Sequence, residues 1–142
     1  MDAVADQIAS ELHNNIRRQL NQRKQVSDML FDQYSDYGLM IRQFIDLLCG
    51  SATSTNVGAF EVNESIMKVN PSNADVSLTI SIFNHATASH FHTFSFGFDS
   101  EKVKYKQYSI APQIELQSLM QHLSRDFLSA IKFELIERSV GD

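Results

Sequence analysis

Among the 142 residues there is a single cysteine, Cys49. That excludes an internal disulfide and any zinc site built on paired thiols. Tryptophan is absent, and there are only 2 prolines and 5 glycines, so long stretches carry nothing to interrupt regular structure. No apolar run approaches the roughly 18 residues of a membrane span. The opening MDAVADQIASEL lacks the basic and apolar blocks of a secretory signal, so a reducing compartment, the cytoplasm, is expected. Positive charge is scarce too: 12 Lys and Arg stand against 17 Asp and Glu, a net charge of −5. This argues against a general nucleic-acid binder, which needs clustered bases to neutralise phosphates. Nucleotide-binding glycine loops, the nucleophile-elbow pattern and the paired-histidine zinc helix are all missing, and no cofactor is implied.

What is present is an ordinary globular balance, with 43% hydrophobic residues and enough chain for one α+β domain spanning residues 1–142. Two runs alternate with period two. In one, Val76, Leu78, Ile80 and Ile82 oppose Ser77, Thr79 and Ser81; in the other, His90, His92, Phe94, Phe96 and Phe98 oppose Phe91, Thr93, Ser95 and Gly97. They predict a hairpin of half-buried strands. With residues 84–88 as its loop, Ile82 is expected near His90 and Ile80 near His92. Shorter alternating pieces at 60–62 and 67–69 change parity across residues 63–65 and predict two short strands with a turn or bulge between them. Lys102 to Tyr108 predicts a terminal strand with Lys102, Lys104 and Lys106 along a solvated edge.

Helices flank this meander of four to five antiparallel strands. Residues 3 to about 34 carry Val4, Ile8, Leu12, Ile16 and Leu20 at a strict four-residue spacing, which drifts about 40° per step around a helix. NQRKQ, residues 21–25, has no apolar member, so the first helix is expected to end or stand in solvent there. Residues 1–25 are expected to project or to serve dimerisation. A second stripe, Met29 to Leu48, has core-facing spacing, with a possible break near Ser35 and Gly38 and a stop at Gly50. Early acids and later bases, Arg17, Arg18, Arg23 and Lys24, follow the order a helix macrodipole favours. The stripe from Leu116 to Leu135 predicts a long C-terminal helix packed on the sheet.

Three constellations carry the functional expectations. His85, His90 and His92 are candidate metal ligands, because a His-x-His pair on a strand shares a face. They compete with a structural role beside Phe94 and Phe96. The reverse face, Ser77, Thr79, Ser81, Phe83, Phe91, Thr93 and Ser95, carries no charge, so a covering layer is expected from the N-terminal helices or from another chain. Phe94, Phe96, Phe98 and Tyr105 are candidate pocket linings between sheet and C-terminal helix. Cys49, at an apolar helix end, reads as a small buried hydrophobe rather than a nucleophile. The leading expectation is a non-enzymatic protein-interaction module (adaptor, chaperone-like or inhibitor) that is homodimeric and acts through its N-terminal helix or the uncharged face. The alternative is a small-ligand or metal-binding domain, enzymatic or not.

Overall fold

The computed structural model describes residues 2–141, and the side chains of residues 3–137. Helix α1 (Asp2–Ser54) leads into a five-stranded sheet of β1 (Phe60–Asn70), β2 (Asp75–Asn84), β3 (Ser89–Asp99), β4 (Lys102–Tyr105) and β5 (Tyr108–Ile110), followed by α2 (Pro112–Gly141). Every neighbouring pair of strands is antiparallel and the spatial order is the sequence order. The chain is therefore an α+β meander, as its two periodicities predict.

Both helices lie on one face of the sheet. Val76, Leu78, Ile80, Ile82, Phe94, Phe96, Phe98, Val103 and Tyr105 form the buried face, and Leu30, Tyr34, Ile41, Ile45 and Cys49 of α1 meet them beside Leu119, Leu123, Phe127 and Ile131 of α2. Aromatic stacking fixes the fit: the Tyr34 ring lies 5.2 Å from that of Phe98, and Phe127 packs on Phe60 and Phe91. The Tyr34 hydroxyl accepts a hydrogen bond from the Glu101 amide, and Gln113 donates to the Tyr37 hydroxyl. These bonds tie α1 to the β3–β4 turn and to the first turn of α2.

Several boundaries differ from the sequence reading. α1 is one helix of 53 residues, with no break near Gly38 and no stop at Gly50. Residues 21–25 lack apolar side chains but keep good intrinsic helix formers, so the helix runs on where packing ceases. Strand β1 is continuous, with a register shift between Val62 and Glu64; the bulge restores apolar parity through Met67 and Val69. The predicted terminal strand splits at a tight turn where Lys106 has φ 54°. The edge is thus β5, and Lys106 leaves the lysine row.

A buried amide locks the far end of the sheet. Asn84 is fully buried; its Oδ1 accepts from the amides of Ala59 and Ala86, each at 3.0 Å, and its Nδ2 donates to Glu134 of α2 at 3.1 Å. Thr53 works beside it, donating to the Cys49 carbonyl and accepting from the Phe60 amide. Gly58 fits between them because an added Cβ would lie 2.6 Å from the Phe60 ring and 3.1 Å from Asn84 Nδ2. Asn84→Leu removes the acceptor of the half-buried Ala59 amide and the bond to Glu134, so it is expected to cost about 1–3 kcal/mol by urea denaturation. Asn84→Asp keeps the accepting oxygen but faces Glu134 with a second carboxylate, so its deficit should deepen as pH rises through the carboxylate range.

Candidate functional site

The hairpin register decides what the histidines can do. Ile82 pairs with His92, Ile80 with Phe94 and Leu78 with Phe96, two residues from the expected alignment, and the pairing shifts so that Phe83 stands opposite His90. The irregularity takes up Phe91. Its ring packs 4.5 Å from Phe60 and 5.5 Å from Phe127, under the helices rather than on the reverse face. His90 is exposed and hydrogen-bonds Thr93, which also bonds Ser81 across the reverse face. His92 is half-buried, with its ring edge-on to Phe94 at 4.6 Å. His85 is exposed, 2.6 Å from a Glu61 carboxylate oxygen. Among the described residues no group of three or more His, Cys, Asp or Glu is placed to hold a metal ion.

A cleft of about 640 Å³ opens between the start of β3, the β4–β5 turn and the second half of α2. His90, His92, Lys106, Asp126, Ser129 and Glu134 supply its polar lining. Asp126 accepts from the Tyr105 hydroxyl at 2.5 Å and pairs with Lys106 Nζ at 3.0 Å. Burial alone would raise its pKa, but these two donors outweigh burial and hold it below the usual carboxylate range. Tyr105 is pushed upward by burial and by that carboxylate. The predicted pocket linings Phe94, Phe96, Phe98 and Tyr105 are at most 3% exposed and belong to the core. Asp126 and Lys106 had no sequence signal, because a turn lysine and a helix-surface acid resemble any solvated charge.

The reverse face is not covered by either helix. Ser77 and Ser95 are exposed, while Thr79, Ser81, Phe83 and Thr93 are half-buried by their neighbours. The expectation that the N-terminal helices cover it is therefore corrected: their apolar side belongs to the opposite face, where the larger apolar area lies. Its centre is uncharged, but Glu64 and Lys68 flank it on β1 and Lys104 on β4, as on a solvated sheet. Cys49 is buried with its thiol pushed up to about 12, chiefly by burial and then by Asp46 and Glu61, which makes it a poor nucleophile at neutral pH.

A row of exposed apolar side chains runs along the first half of α1. Every residue from 3 to 25 is exposed, and Val4, Ile8, Leu12, Ile16 and Leu20 are 53–61% exposed. Eighteen residues make about five turns, so Ile8 shares an azimuth with Val26, Leu12 with Leu30, Ile16 with Tyr34 and Leu20 with Gly38. Leu30, Tyr34 and Gly38 are buried and Val26 packs against the core. The stripe is thus the outward continuation of the core-facing side of the helix, carried past the domain at the β1–β2 turn, where Gln22 and Val26 line a recess with Pro71. Among the described residues no helix is long and apolar enough to cross a membrane.

One pH effect follows from the cleft. Burial first, and then the Lys106 cation, hold His92 below its ordinary 6.5, against the pull of Asp126. A depressed folded pKa means that the unfolded chain binds the proton more readily. Stability is therefore full above about pH 6.5 and declines as pH falls toward the folded pKa of His92. Thermal unfolding between pH 7.5 and 5 should show this decline, and His92→Gln should flatten it. No known protein family matches the chain, and neither a curated protein sequence nor a solved structure is significantly similar to it.

Proposed function

We propose that this chain is a protein-interaction module whose docking element is the projecting half of α1. The observation that carries this reading is the exposed stripe of five aliphatic residues, four of which, Ile8, Leu12, Ile16 and Leu20, are in phase with the buried face of the same helix. A helix of roughly 20 residues is marginal in water by itself, and most helical stability in proteins comes from packing an apolar face. Here that face is present and among the described residues it is exposed. A row of anchors on one side of a helix suits docking against an apolar surface of another protein.

A second reading is favoured by the cleft, whose volume and convergent polar groups suit a small ligand. His90 and His92 are among its lining residues, but Phe94, Phe96, Phe98 and Tyr105 are not. No group of three metal-ligand side chains accompanies it among the described residues, and of its three carboxylates, Asp126, Glu134 and Glu137, Asp126 is engaged by Tyr105 and Lys106. The helix therefore carries the primary reading.

Site-specific photo-cross-linking tests it. A benzophenone side chain replacing Leu12 or Ile16, in the full chain in cells and in purified form, should give discrete protein adducts. The same group replacing the exposed Glu101 should give none. Absence of adducts from both stripe positions overturns the proposal.

A further inference from the structure

We infer that β1 pairs antiparallel with β1 of a second copy of this chain, about a two-fold axis at Ile66, so that the two sheets join into one. The two edges of the sheet differ. β5 is an edge of 3 residues, too short to offer much of a template, whereas β1 is an edge of 11 residues and pairs with β2 alone. Alternate residues of an edge strand turn their amide and carbonyl away from the sheet, ready for a further strand. The helix-facing side chains of β1 also stop short of burial. Ser65, Met67 and Val69 are half-buried, while Ile80, Leu78 and Val76, opposite them on β2, are buried. A groove of about 300 Å³ runs along this edge, between Ser65 and Met67 of β1 and Phe31, Ser35 and Leu39 of α1. Phe31, Leu39 and Ile66 stand exposed beside it.

The charges on β1 select a second copy and its register. Beyond the bulge the strand is regular from Glu64 to Asn70, and Glu64, Ile66 and Lys68 share the reverse face, opposite Ser81, Thr79 and Ser77. Glu64 and Lys68 lie about 13 Å apart along the strand, too far to pair with each other. Among the described residues neither has an ion-pair partner. With Ile66 facing Ile66 on the axis, Glu64 of each copy stands directly opposite Lys68 of the other, on one face and on both sides of the axis. Residues opposite each other in this way interact across the strands, and unlike charges favour the pairing. An axis at Glu64 or at Lys68 would set like charges opposite, and one at Ser65 or Met67 would leave both charges facing uncharged residues. Parallel pairing in register would again set like on like. The patch is thus self-complementary about one axis, as a closed dimer requires. On the helix side, α1 runs antiparallel to β1, with Val26 at Pro71, Gly38 at Met67 and Thr53 at Phe60. The second α1 therefore arrives antiparallel on the same side of the joined sheet, and Leu39 is covered near the axis.

Cysteine cross-linking reads the register, and the native Cys49, buried and with its thiol pushed up to about 12, stays silent. Under mild oxidation of the full chain, Ile66→Cys should form a disulfide dimer, because opposite residues of antiparallel strands lie about 4.5–5.5 Å apart at Cα, within disulfide reach. Glu64→Cys should not do so alone, since its two copies lie about 13 Å apart. The double variant Glu64→Cys/Lys68→Cys should cross-link. In sedimentation, the unmodified chain should dimerise with rising concentration. Glu64→Lys should weaken this at least about tenfold, by turning two attractive pairs into repulsive ones, and the exchange Glu64→Lys/Lys68→Glu should restore it. Both positions are exposed, so thermal unfolding of the diluted variants should match that of the unmodified chain. A chain that stays monomeric at every concentration overturns the inference. So does a dimer that Ile66→Cys fails to link or that Glu64→Lys leaves unchanged. Photo-adducts at Leu12 and Ile16 report on the α1 stripe alone, so the docking reading stands or falls separately.

Discussion

A mismatch in length governs this molecule. The sheet is five strands wide and 10 to 11 residues long at its centre, roughly 24 Å by 36 Å at ordinary strand spacings. Helix α1, with 53 residues, is about 80 Å long. No placement of α1 on that sheet can bury its whole length, and α2 shares the same face. The helix therefore divides into a buried half, which fixes the fold with Leu30, Tyr34, Ile41 and Ile45, and a half that leaves the domain. Everything distinctive about the surface follows from that division, including the unfilled stripe and the unoccupied reverse face.

The strands were legible because the alternation in β2 and β3 is nearly perfect and carries no competing signal. Phe91 shows where parity fails. A single irregularity opposite Ile82 and Phe83 moves its ring beneath the helices and separates His90 from His92, and no residue type there announces a bulge. Turns were obscured for a related reason: Ser100 and Glu101 both adopt positive φ without the Gly or Asn that usually marks such a turn. The helix boundaries failed because apolar spacing reports packing, whereas continuity depends on backbone propensity. Gly50 illustrates the difference. A glycine inside a helix costs only about 1 kcal/mol against alanine, which the burial of Ile45 and Cys49 in the turn before it readily offsets.

The candidate sites differ in how far sequence could anticipate them. The cleft is a product of tertiary placement, since Asp126, Lys106 and His92 converge from α2, a turn and β3, and no local spacing links them. The stripe lay in plain view, yet its meaning depended on phase. Only when α1 is known to be one uninterrupted helix does the five-turn relation between Leu12 and Leu30 hold, or between Ile16 and Tyr34. A break anywhere in residues 21–25 would have left the azimuth of the stripe arbitrary with respect to the core.

Continuity also changes the meaning of the charges. A helix ending near residue 25 would place Arg23 and Lys24 at its negative terminus, where local electrostatics would account for them. A helix ending at Ser54 instead places these bases in mid-helix, between Asp6 and Glu11 before them and Asp28, Asp32 and Asp36 after them, as on a solvated face where opposite charges stand three or four residues apart. The length that the sheet cannot cover thus carries the aliphatic stripe of residues 4–20 outside the domain.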